Sequence, residues 1–160
     1  MIHPFLRALA IAAGALVSPG FAAGQTLYEY TYPYNTADLN ENHFIVLESL
    51  GSQARGWYYG TSDEFDSARE GYLPGFFVAE MSELRLSETN ISFSLTRPER
   101  FFASPVPLEY RDVADMPPGL LGDWSVPLPV ESRSYVGARN GGDIALDVAG
   151  TPRVFRRRAD

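Results

Sequence analysis

The segment ISFSLT, residues 91–96, alternates apolar and polar side chains without a break. Ile91, Phe93 and Leu95 would share one face of an extended chain, with hydroxyl side chains on the other face. A period of two residues is typical of a β-strand that buries one of its faces. We therefore expect the neighbouring segments to supply the other strands of its sheet.

Short apolar runs separated by turn residues continue along most of the chain. HFIVLES (43–49) is one such run, and two further runs flank NGGD (140–143), where Asn140 and Gly141 favour a tight hairpin turn. Their spacing predicts an all-β fold of about seven to nine strands, forming a small antiparallel β-barrel or sandwich. Residues 25–160 are enough for one domain.

One segment departs from the β pattern, TSDEFDSAREG at residues 61–71. Thr61 and Glu64 have the spacing of a capping box, and the acidic residues after Thr61 suit the positive end of a helix dipole. Gly71 could end the helix. We predict one short helix over about residues 62–70. A calcium loop is the alternative, but these acids do not match the spacing of an EF-hand.

Six of the residues between 104 and 132 are prolines, which lack the N–H that a central strand needs. This composition predicts a long proline-rich loop over the surface. Trp124 is its largest apolar side chain, and it would either pack on the body of the protein or be offered to a partner.

The first 24 residues have the order of a secretory signal peptide. Arg7 precedes a short apolar run, and the helix-breaking residues 18–20 are followed by small residues. The apolar run is too short to span a bilayer, so we expect no membrane anchor after cleavage. The chain has no cysteine, so neither a lipidated cysteine nor a disulfide is available. We expect a periplasmic or secreted protein.

The charge of the chain argues against some partners and favours a bacterial origin. A formal net charge of −7 gives no electrostatic reason to bind nucleic acid. All thirteen basic residues are arginine, a bias typical of GC-rich bacterial genomes.

The sequence carries no recognisable catalytic or cofactor motif. His43 is the one histidine after the predicted cleavage site, whereas a zinc site needs three or four ligands, commonly His or Cys. Neither a G-x-S-x-G elbow nor a G-x-G-x-x-G loop occurs. We therefore assign no catalytic residue, no metal ligand and no cofactor, and expect a protein that is not an enzyme.

Aromatic side chains are the remaining candidates for recognition. In YEYTYPY (28–34) a tyrosine occupies every second position, so one face of a strand there would be aromatic. We expect this face to line the interior or the mouth of the barrel, with Tyr34 in the following loop. The candidate ligand-binding residues are Tyr28, Tyr30, Tyr32, Trp57, Tyr58, Tyr59 and Trp124.

These features predict an exported, non-enzymatic binding protein whose ligand is a small apolar or sugar-like molecule, or another exported protein. An interaction module, such as an inhibitor of an exported or cell-wall enzyme, is the first alternative. A hydrolase with two catalytic carboxylates is the second. An interior cavity would favour the first hypothesis, and two facing carboxylates in a cleft would favour the last.

Overall fold

The structure is a computed structural model that describes residues 24–33, 42–66, 71–96, 98, 101–120, 123–124, 131–148 and 150–159. For residues 62–66, 71–74 and 123–124 it describes the backbone. Residues 1–23 of the predicted signal peptide lie outside the described residues, as does Tyr34.

The described chain is almost entirely β-structure, which confirms the predicted all-β class. Nine strands have five residues or more, and β7 and β8 have two residues each. The described residues contain one 3₁₀ turn, Val113–Asp115, and no α-helix. The strands are β1 Gln25–Tyr30, β2 His43–Leu50, β3 Gln53–Asp66, β4 Gly71–Glu80, β5 Ser82–Leu86, β6 Asn90–Thr96, β7 Phe101–Phe102, β8 Asp123–Trp124, β9 Ser132–Asn140, β10 Asp143–Val148 and β11 Thr151–Arg157.

All eleven strands belong to one antiparallel sheet, in the order β5-β6-β9-β10-β11-β1-β2-β3-β4-β7-β8. The sheet curls, so that β5 contacts β3 as well as its ladder partner β6. The backbone N–H of Met81, between β4 and β5, donates to the carbonyl oxygen of Gly56 at 2.8 Å. No continuous ladder closes the described strands into a ring, so the architecture is an open, barrel-like roll.

Alternate residues of the strands fill the interior of this roll. Ile91, Phe93 and Leu95 of β6 are buried, as their alternation predicts. They pack with side chains from strands around the roll, including Ile45 and Phe155, which are fully buried. The interior is therefore mainly a packed apolar core.

A second apolar cluster lies on the outer face of β1 to β4. Val46 and Val78 belong to it, and the proline-rich segment after β7 covers it with Val106, Leu108 and Met116. The predicted proline-rich loop is thus present between β7 and β9, interrupted by the 3₁₀ turn and by β8. Its described residues after β7 cover the outer face of the sheet.

The predicted helix over residues 62–70 is wrong for residues 62–66, which continue β3, while residues 67–70 lie outside the described chain. The backbone from Ser62 to Asp66 pairs residue by residue with Gly75 to Gly71 of β4. A helix of this length is marginal in water, and its cap contributes only about 1 kcal/mol. Extending an existing β-ladder by five pairs outweighs that local preference.

The predicted hairpin between β9 and β10 is present, but its two central residues are Gly141 and Gly142, one position later than Asn140 and Gly141, because Asn140 still pairs with Asp143. Gly141 has φ 60° and Gly142 has φ 118°, so both occupy the positive region that a two-residue hairpin of this kind requires. The sequence Asn-Gly-Gly thus sets the register of these two strands.

Gly137 in β9 lies where the roll leaves no room for a larger side chain. A Cβ atom added there would lie 2.4 Å from the backbone oxygen of Ala145 in β10, which cannot move without disturbing its own strand. We expect Gly137→Ala to destabilise the fold by about 1–3 kcal/mol, as overpacking does. Ala138→Ser, at the exposed neighbouring position, should change stability by less than about 0.5 kcal/mol. Urea unfolding monitored by tryptophan fluorescence measures both, and equal effects would contradict the packing.

Candidate functional site

The structure separates the aromatic residues that the sequence singles out. Tyr28 and Tyr58 are buried in the interior cluster, and Tyr30 packs against it. Trp57 and Tyr59 are buried in the outer cluster instead. Neighbouring residues of a strand point to opposite faces, so the run WYY in β3 cannot form one recognition surface.

Arg111 fixes the proline-rich loop over Trp57 and Tyr59. One guanidinium nitrogen of Arg111 donates to the Tyr59 hydroxyl at 2.6 Å and also to the backbone oxygen of Leu108. The Tyr59 hydroxyl in turn donates to the backbone oxygen of Tyr110 at 2.6 Å. Burial raises the pKa of Tyr59, against the opposing effect of Arg111. The guanidinium of Arg111 also lies 5.2 Å from the centre of the Trp57 ring.

A structural role for this contact predicts a thermodynamic coupling. Tyr59→Phe and Arg111→Ala should each destabilise the protein by about 1 kcal/mol, the net value of a buried hydrogen bond. The double variant should lose less than the sum, because both changes remove the same bond. Arg156→Ala, at an exposed position on β11, is the control and should not couple to Tyr59→Phe. Additive losses in a denaturant-melt cycle would show that Arg111 does not hold the loop through Tyr59.

His43 is the centre of a buried polar network at one end of the roll, here called the His43 end. Its Nδ1 lies 2.7 Å from the Tyr58 hydroxyl and 3.1 Å from a guanidinium nitrogen of Arg153. Its Nε2 lies 3.0 Å from the Thr61 hydroxyl. Thr61, which the sequence suggested as a helix cap, is thus a buried strand residue that holds the histidine.

The partners of His43 favour its neutral form. Nδ1 faces the guanidinium of Arg153, which can only donate. Nε2 accepts a hydrogen bond from the backbone N–H of Thr61 at 3.3 Å. A second proton on the ring would place an N–H against one of these donors, whereas the hydroxyls of Tyr58 and Thr61 can donate or accept. Burial, and secondarily the charge of Arg153, lower the pKa of His43 to about 3. Burial also raises the pKa of Tyr58, so both groups are neutral at pH 7.

Tyr30 and Tyr32 complete the His43 end around Arg153. The guanidinium lies 5.6 Å from the centre of the Tyr30 ring and 5.1 Å from that of Tyr32, within the range of a cation–π contact. The two tyrosine rings meet edge to face at 5.1 Å. The predicted aromatic comb therefore runs along the interior from Tyr28 and ends in a stack on Arg153.

The neutral state of His43 predicts acid sensitivity. Between pH 6.5 and about pH 3 the unfolded chain binds a proton at this residue that the folded chain does not bind. The free energy of unfolding should therefore fall as the pH is lowered, by about 2 kcal/mol between pH 7 and pH 5. Urea melts across this range test it, with His43→Gln as the comparison. The variant should have a shallower pH dependence, and an unchanged slope would show that other groups cause it.

The opposite end of the roll, here called the hairpin end, contains a cavity of about 760 Å³ that is open to solvent. The turns β2–β3, β5–β6 and β9–β10 lie at this end, as the strand registers require. The buried residues Tyr28 and Leu47 line the cavity, together with the partly buried Leu84 and Leu86 of β5. Its polar lining includes Thr26, Ser49, Gln53, Arg85 and Arg139.

A β-bulge shapes the β5 wall of this cavity. The register between β5 and β6 shifts between Ser82 and Arg85, and Glu83 has φ 52°. A residue other than glycine in this left-handed conformation costs on the order of 1–3 kcal/mol. The bulge lies immediately before Leu84, and bulges of this kind redirect side chains beside binding sites.

Arg139 is a cavity residue that was not among the sequence candidates. It follows Tyr135 and Gly137 on the inward face of β9, and one of its guanidinium nitrogens donates to the backbone oxygen of Ser87 at 2.6 Å. An arginine at an inward position of an alternating strand was the available signal. The sequence candidates are all aromatic residues, so Arg139 is not among them.

A second depression, of about 530 Å³, lies beside the proline-rich loop. Trp57 lies beneath Arg55, whose guanidinium is 4.9 Å from the ring centre, and only 3% of Trp57 is exposed. Arg55 forms an ion pair with Glu80 at 2.9 Å. Charges of both signs line this depression, so its electrostatics select no class of ligand.

Three further sequence predictions concern Trp124, a metal site and a membrane span. The backbone of Trp124 pairs with Phe101 in the β7–β8 ladder, and its side chain is outside the described part. Among the described residues, no group of three or more His, Asp or Glu side chains could hold a metal ion. No helix in the described segments is long and apolar enough to cross a membrane.

Comparison with known proteins adds no assignment. No protein-family model, curated protein or solved structure gives a significant match to this chain.

Proposed function

We propose that this protein is an exported bacterial binding protein, not an enzyme, which holds a small ligand with an apolar part in the cavity at the hairpin end. The observation that carries the proposal is the cavity itself, with Tyr28 and Leu47 at its base and Leu84 and Leu86 on one wall. Binding sites for small molecules are concave and combine apolar surface with polar groups that orient the ligand. This cavity has both, with polar residues making up about half of its lining.

Two further features support this proposal. The bulge at Glu83 keeps a strained backbone beside the cavity, and such strain is concentrated at functional sites. The packed interior below the cavity supplies a rigid base, which lowers the entropic cost of binding. Export is proposed from the order of charge, apolar run and small residues in the first 24 residues.

An interaction module, such as an inhibitor of an exported enzyme, is the second candidate function. The observation in its favour is the outer face of β9 and β11, where Val136 is 69% and Val154 is 44% exposed. Exposed apolar side chains of this size can contribute to a protein interface. For a hydrolase with two carboxylates, the described acids that line a depression lie beside the proline-rich loop, not at the hairpin end: Glu48, Glu80, Asp112 and Asp115. Glu80 there pairs with Arg55, and Glu48 accepts a hydrogen bond from Gln25.

A neutral apolar dye, N-phenyl-1-naphthylamine, tests the proposed function. Its fluorescence should rise on binding to the wild-type protein. Leu84→Trp should reduce the dye affinity at least about tenfold, because the larger ring fills the cavity. Val136→Thr removes an exposed apolar group on the opposite side of the sheet and should leave dye binding unchanged. Loss of dye binding in Val136→Thr, with retention in Leu84→Trp, would instead support the outer face as the binding surface.

A further inference from the structure

The charged side chain that faces the hairpin-end cavity has the opposite sign to the whole protein. The chain has a formal net charge of −7, yet none of the described residues that line this cavity is acidic. Arg139 lies on the inward face of β9. Arg85 also borders the cavity, but its side chain lies on the other face of β5, because Leu84 and Leu86 face inward and its ladder partner Ser92 belongs to the polar face of β6. A concave site lined by one sign of charge concentrates ligands of the opposite sign.

Arg139 is held in a fixed position at the cavity. One guanidinium nitrogen donates to the Ser87 oxygen at 2.6 Å, and the backbone N–H of Arg139 donates to the Thr89 oxygen at 2.8 Å. Both bonds tie Arg139 to the β5–β6 turn. A guanidinium has five N–H donors in a planar fork, which fits a carboxylate better than it fits a neutral group. Fixing the guanidinium in advance reduces the entropy lost on binding.

The acids of β5 and of the β5–β6 turn do not line the cavity. Glu83 accepts a hydrogen bond from the Ser94 hydroxyl at 3.2 Å, and Ser94 belongs to the polar face of β6. Glu88 is exposed in the turn between β5 and β6. Arg139 is therefore the charged side chain that faces whatever enters the cavity. The partly buried Leu84 of β5 supplies apolar surface next to it.

We infer that the hairpin-end cavity binds a small amphipathic anion, an alkyl or aryl carboxylate. Its carboxylate lies against Arg139, and its apolar part lies against Leu84 and Leu86, above the buried Tyr28 and Leu47. This inference rests on the proposed function, because it names the ligand class of the same cavity.

Three probes with the same alkyl chain test the inference: decanoate and decyltrimethylammonium below their micellar concentrations, and decanol below its solubility limit. Isothermal titration with the full chain should show decanoate binding at least about tenfold more tightly than decanol, the contribution expected of a charge-assisted hydrogen bond. Decyltrimethylammonium should bind more weakly than decanol. The affinity for decanoate, but not for decanol, should fall as salt is added.

Arginine variants locate the charge that is responsible. Arg139→Gln should lower the decanoate affinity about tenfold and leave the decanol affinity unchanged. Arg139→Lys keeps the positive charge without the planar fork and should lower the decanoate affinity less than Arg139→Gln does. Where a thermal melt shows that Arg139→Gln harms folding, the salt dependence and the decanoate-to-decanol affinity ratio of the wild-type protein decide the question. Arg156→Gln, on the outer face of β11, is the matched control and should change neither affinity.

The remaining outcomes would contradict either the charge inference or the proposed function. Equal binding of decanol and decanoate, with no effect of Arg139→Gln, would overturn the charge inference and leave the proposed function standing. Preferential binding of the ammonium probe would do the same. Failure of all three probes, together with failure of the neutral dye, would overturn the cavity as a binding site altogether.

Discussion

The packing of Tyr58 joins strands from different sides of the roll. Its ring stacks at 6.2 Å on Phe77 and at 6.3 Å on Tyr135, and it meets Phe155 edge to face at 5.9 Å. One side chain thus links β3 to β4, β9 and β11 across the roll. Its hydroxyl would be costly to bury without a partner, and His43 supplies that partner. The polar network at the His43 end therefore follows from placing this tyrosine in the core.

Strand alternation then determines which aromatic residues remain available to a ligand. With Tyr58 directed inward, Trp57 and Tyr59 must point outward, where the proline-rich loop covers them. The loop has no extended β-ladder of its own in the described part, so side chains attach it, above all Arg111 to Tyr59. Trp57 and Tyr59, which the sequence suggests as recognition residues, instead attach the proline-rich loop to the sheet.

Local periodicity made the all-β class, the strand at 91–96 and the Asn-Gly-Gly turn predictable from the sequence. Each depends on neighbours within a few residues. The short helix was wrong because its signal was equally local, whereas the extension of β3 past Thr61 depends on pairing with β4. The hairpin-end cavity escaped prediction for the same reason. Tyr28 and Arg139 meet only after β1 and β9 have been placed in one curled sheet.

The two ends of the roll use inward-facing arginines in different ways. At the His43 end, the guanidinium of Arg153 lies 3.1 Å from Nδ1 of a neutral histidine and packs on two tyrosine rings, so its side chain contributes to the core. At the hairpin end, Arg139 donates to a turn oxygen, and the neighbouring leucines of β5 line an open cavity. The His43 end therefore contributes to the stability of the fold, and the hairpin end leaves a charged and partly apolar surface open to solvent. This asymmetry is the physical reason for proposing a binding site at the end with fewer aromatic residues.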